Sequence, residues 1–194
     1  MIARALPVVS AILAAALPAS AHTGRSETTG LVAGLLHPLT GLDHLAAMVA
    51  VGLWAGLAGG ARLWIWPAAF VGAMLVGAVA GWQAVAVGGV ELASAASVAA
   101  LGVLVASGWR APLALGLGAI ATFGLAHGYA HGAEAPADGT GLSYAAGFVA
   151  ATAALHTAGL AVVIALRRPL LVRAIGVAVM AFGLVLVGVA GGLA

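Results

Sequence analysis

The chain has 194 residues, of which 64% are hydrophobic and only 6% charged, and its formal net charge of +2 comes from seven arginines, no lysine and five acids. An ordinary soluble domain carries about 25% charged residues, so a soluble enzyme, a nucleic-acid-binding domain and a disordered chain are excluded, and an all-α polytopic membrane protein is left. Cysteine is absent, which removes disulfides, thiolate metal sites and a thiol nucleophile.

In chain order, residues 1–21 read as a secretory signal peptide. Arg4 supplies the positive start, Leu6 to Leu17 the apolar stretch, and Ala19-Ser20-Ala21 the cleavage site. The alternative is an uncleaved first membrane helix, but the stretch is short against the roughly 20 residues of a span and ends on Pro18. Residues 22–194 then form the membrane domain. Cleavage would place His22 at the mature N-terminus, where an α-amine and an imidazole on one residue can chelate a divalent transition metal. The plain alternative is a frayed tail.

Thr29 to Leu39 is a short apolar piece. It either lengthens the first helix or lies at the interface as a partial helix broken near Pro38 and Gly41. Six spans follow by length and apolarity: Leu42–Gly59, Leu63–Trp82, Val90–Ser107, Pro112–His131, Gly141–Leu166 and Leu170–Leu193. With the mature N-terminus outside, the first, third and fifth connections are cytoplasmic. They hold Arg62, then Arg110, then Arg167 and Arg168, with Arg173 just beyond. The other two connections carry Glu91, Glu134 and Asp138 and no arginine, as the positive-inside rule expects; Arg25 in the outer tail is the exception.

Small residues such as Gly72, Gly77, Gly81, Gly116 and Gly118 are expected at helix-packing faces. No Gly-rich run ends in Gly-Lys-Ser/Thr, so ATP consumption is not expected. Trp54, Trp64, Trp66, Trp82 and Trp109 mostly fall at span ends, where indoles anchor at the membrane interface.

Ionisable groups inside spans are costly and usually functional. Here they cluster. HPLTGLDH holds His37, Asp43 and His44, with Met48 one turn after His44; HGYAHGAE holds His127, His131 and Glu134, which share one face if the helix continues past Gly132. Both clusters map to the outer ends of their spans. Four imidazoles and two carboxylates suit divalent Ni, Co, Zn or Fe, and the lack of thiolate argues against a soft Cu(I) site. Asp43 is either a ligand or the partner that orients a ligating imidazole. Met48 reads first as core packing. His156, alone in the fifth span, is either a helix-to-helix hydrogen bond or an inner relay.

On these two motifs, with LAAMVAVGLWA after the first, the chain resembles the HupE/UreJ family of nickel permeases over nearly its whole length. The family's second motif often has Phe before its first histidine. Here Ala126 stands there and Phe123 lies three residues earlier, which touches packing more than ligation. The resemblance implies a bacterial inner-membrane protein, multi-pass, with its mature N-terminus periplasmic. It implies uptake of Ni²⁺, with Co²⁺ as a second cargo, and no prosthetic group, no nucleic acid and no ATP. The implied metal residues are His37, Asp43, His44, His127, His131 and Glu134; the residues read by themselves add His22, Met48 and His156 as secondary candidates. The rival expectation is an intramembrane zinc- or iron-dependent metalloenzyme, built from three histidines and a carboxylate with an open position for water. A metal sensor or assembly subunit is a third.

Overall fold

The computed structural model describes residues 30–135 and 140–192. The expected signal segment, its cleavage site, His22, Arg25 and Asp138 lie outside them. Among the described residues all regular structure is helical: α1 Gly30–Thr40, α2 Leu42–Ala58, α3 Arg62–Trp82, α4 Val90–Ser107, α5 Leu113–Ala133, α6 Gly141–Leu166 and α7 Pro169–Ala190. Ala and Leu dominate these segments, and Gly or Pro punctuates their ends. Gly59, Gly60 and Gly108 turn the chain at positive φ, where a Cβ would be strained. Pro169 opens α7, where its missing N–H costs nothing.

Among the described residues five helices, α3 to α7, are long and apolar enough to cross a bilayer. A helix of 21 residues such as α3 is about 31 Å long, close to the hydrocarbon thickness of about 30 Å. The expected first span differs. The chain breaks at Gly41, and α1 and α2 meet there at 81°, a sixth candidate span only when the bent pair is counted together. Gly41 is extended (φ −87°, ψ 108°), while Pro38 stays inside α1. The break therefore falls at the glycine and not at the proline. A Cβ at Gly41 would lie 2.7 Å from the His44 ring nitrogen, so the bend needs glycine to seat that histidine.

The tightest pairings are α3 with α5, α4 with α7, and α1 and α2 with α6. Small residues make them. A Cβ on Gly128 or Gly132 of α5 would run into the carbonyls of Met74 and Ala78, and one on Gly77 or Gly81 of α3 into those of Leu125 and Tyr129. Of the five glycines expected at packing faces, Gly77, Gly81 and Gly116 lie in contact, whereas Gly72 and Gly118 face open space. Without a hydrophobic drive between helices in lipid, this close fit is what holds them together. Large apolar side chains such as Val76, Leu142, Ile164 and Leu170 are exposed on the outside, as a lipid-facing surface requires.

One end of the bundle is tied by donors to backbone carbonyls. Arg62 Nε donates to Ala111 O at 3.0 Å, Arg110 Nε to Leu57 O at 3.2 Å and Arg173 Nε to Ala106 O at 2.7 Å. Two tryptophans depart from the expected interfacial role. Trp54 and Trp66 are buried, stacked at 4.2 Å, and donate to Trp109 O and Leu113 O. Trp64, Trp82 and Trp109 are exposed, as expected.

Candidate metal centre

The histidine clusters lie at the other end, where α1 meets α2 and α5 finishes. On a straight helix the seven residues from His37 to His44 would rise about 10.5 Å. The bend at Gly41 turns the two rings toward each other, with centroids 6.2 Å apart. On α5, His127 and His131 stand one turn apart and are both buried. The helix does continue past Gly132: it runs to Ala133, with Glu134 as its C-cap. The carboxylate therefore stays on the histidine face, its Oε2 3.3 Å from His37 Nε2.

Two overlapping triads result. His44, His127 and His131 form one, and His37, His131 and Glu134 the other; within each, the ligand atoms all lie within 4.8 Å of one another. A first-row metal sits about 2.1 Å from an imidazole nitrogen, so donors around one ion are at most about 4.2 Å apart. Each triad is thus a sub-ångström contraction from ligating distance. His131 belongs to both. The two differ in depth. His37 and Glu134 side chains are 30% and 49% exposed, whereas His127 is fully buried and His131 nearly so.

Proton positions follow from the neighbours. Asp43 Oδ1 accepts from His44 Nδ1 at 2.9 Å, which leaves the lone pair of His44 on Nε2. Asp43 is in neither triad; it takes the orienting position. Ser97 on α4 donates its single proton to Ser94 O at 2.7 Å and so accepts from His127 Nε2–H at 2.8 Å. The His127 lone pair is then on Nδ1. His44 Nε2, His127 Nδ1 and both nitrogens of His131 are buried and have no hydrogen-bond partner. Buried polar atoms are rarely left so. Three of them, one from each ring, fit a cation that they would share, the other His131 nitrogen carrying the ring proton.

The sequence does not reveal Ser97, because nothing near it in α4 is unusual for a membrane helix. Nor does it reveal the aromatic walls. Phe148 on α6 lies 4.1 Å from the His131 ring, and Phe70 on α3 lies 6.0 Å from His127 (centroid distances). The apolar backing therefore comes from other helices and not from the position before His127. His156 is buried, apart from both triads, with its ring 5.2 Å from Phe70. Met48 is fully buried and accepts from Thr152 Oγ1 at 3.3 Å.

The family model described as HupE / UreJ protein matches residues 10–186. Protein HupE of Rhizobium leguminosarum bv. viciae is 44% identical over 155 residues, covering 79% of this chain and 81% of that protein. No solved structure matches.

Proposed function

Since this chain belongs to the HupE/UreJ family, we propose that it is an inner-membrane permease that takes up divalent nickel, with cobalt as the second cargo to test. The observation that carries the proposal is the pair of triads sharing His131, with four imidazole nitrogens unpartnered. The arginine-tied end is the cytoplasmic one by the positive-inside rule. That orients the triads to the periplasm and supports six spans with the α1–α2 pair as the first.

The ion meets His37 and Glu134 first, because they are the more exposed. It sheds part of its water onto the outer triad. His131 then passes it to His44 and His127 without a step in which it lacks a ligand. Glu134 and Asp43 supply negative charge close by, which matters because an uncompensated ion in low dielectric is very costly. Neutral imidazoles are required, and Asp43 and Ser97 hold two of them in the ligating tautomer. The membrane potential favours entry by about 4.6 kcal/mol for a dication at 100 mV, so uptake needs no nucleotide. Holding cannot be too tight, since a transport site must also release. Family membership does not favour the metalloenzyme alternative.

The test is uptake of radioactive nickel at sub-micromolar concentration, in cells lacking their own nickel importers, with this protein or its His127→Ala variant. Uptake that appears with the intact chain and vanishes with the variant at equal membrane levels supports the proposal. No uptake by either moves the cargo to cobalt or zinc. Equal uptake by both removes the deeper triad from the path.

A further inference from the structure

Below the triads, three helices bring a second set of donors together. His44 and Met48 lie one turn apart on α2, Thr152 and His156 one turn apart on α6, and Met74 stands on α3. Thr152 Oγ1 is 3.3 Å from Met48 Sδ and 3.9 Å from Met74 Sδ. A mid-helix threonine ordinarily donates back to the carbonyl four residues earlier, as Thr122 does to Gly118 and Thr157 to Ala153. Thr152 turns its hydroxyl to the sulfurs instead. Met48, Met74, Thr152 and His156 are all buried, and both ring nitrogens of His156 lack a partner. The chain has four methionines and no cysteine, so sulfur is scarce, and two of its atoms meet here. His156 also lines a cavity of about 240 Å³ that reaches Leu63 and Trp64 in the first turn of α3, toward the arginine end.

We infer that Met48, Met74, Thr152 and His156 form a second, interior cation site, a soft thioether–imidazole set lying between the outer triads and the cavity at the arginine end. Its role as a stop on the transport path rests on the permease reading; its existence as a site does not. The donor set is neutral and softer than the triads. It holds a borderline dication weakly, which suits a transient stop. It prefers a soft monovalent d¹⁰ ion, so Ag⁺ is both a probe of the site and a blocker of the path.

The first arm needs no transport. Ag⁺ is bound to the purified full-length protein in detergent, and its ligands are read by X-ray absorption, with affinity by equilibrium dialysis. The intact protein and H127A are expected to show silver on sulfur. The M48L/M74L double variant, which conserves side-chain volume, is expected to lose that signal and to bind at least tenfold more weakly. Silver on nitrogen and oxygen alone, or equal sulfur ligation in the double variant, overturns the site. Should the double variant fail to fold, M74L alone carries the same comparison.

The second arm is nickel. M48L/M74L is expected to keep nickel binding at the triads within twofold while uptake Vmax falls at least tenfold at unchanged KM. Uptake at the wild-type rate overturns the role on the path. A wild type that moves no nickel but binds silver through sulfur overturns the permease reading and leaves the interior site standing.

Discussion

The two ends of the bundle use their few polar side chains in opposite ways. At one end Arg62, Arg110 and Arg173 each donate to a backbone carbonyl at the end of another helix or in the connection beside it, and Trp54 and Trp66 do the same. Their hydrogen-bonding capacity goes into holding helix ends in register. At the other end His44, His127 and His131 keep buried nitrogens with no partner in the protein. The polar atoms there are held ready, each at its own cost in stability. Polarity that satisfies the fold marks the structural end, and polarity that the fold leaves unsatisfied marks the end proposed to bind the ion.

That contrast can be broken by substitution. The largest effect is expected at His131, the one residue in both triads. His131→Ala should reduce nickel uptake to background with no loss of thermal stability, since it removes two orphaned nitrogens; a variant that keeps most of its uptake would end the shared-ligand reading. Next comes the α3–α5 contact. Gly128→Val drives a side chain into the Met74 carbonyl and should cost about 1–3 kcal/mol, while displacing His127 and His131 together. Melting in detergent and uptake should fall in parallel.

The orienting residues come third. Asp43→Asn and Ser97→Ala should each weaken apparent nickel affinity by about 10- to 100-fold and leave melting nearly unchanged. Equal affinity in the Ser97 variant would show that the His127 tautomer does not depend on that hydroxyl. The smallest functional effect belongs to the arginine end. Arg62→Gln loses a hydrogen bond to Ala111 O, worth about 0.5–1.5 kcal/mol. It should lower the melting temperature by a few degrees while uptake stays within twofold. A large uptake defect at unchanged stability would erase the division between the ends.

Much of this organisation is present in one dimension. The lengths of Val90–Ser107 and Gly141–Leu166 coincide with α4 and α6, because a bilayer demands a run of apolar residues and Gly and Pro bound it. The spacing of His127, His131 and Glu134 places them on one helical face, because 3.6 residues per turn leave no other arrangement once the helix continues. The arginines mark their end for the same reason: they fall in alternate connections, and antiparallel helices return alternate connections to one side.

Other features required three dimensions. The 81° bend at Gly41 brings His37 to His44, and a Gly after a Pro-containing turn does not state an angle. Phe70 on α3, Ser97 on α4, and Phe148 and Thr152 on α6 reach the sites from three helices far apart in the chain. Trp54 and Trp66 turn inward against an expectation that indoles sit at the interface. The physical reason is common to all of them. Local periodicity decides which residues share a face of one helix. Which faces meet is decided by where small residues let two backbones approach, and that is a property of pairs of helices that no single stretch contains.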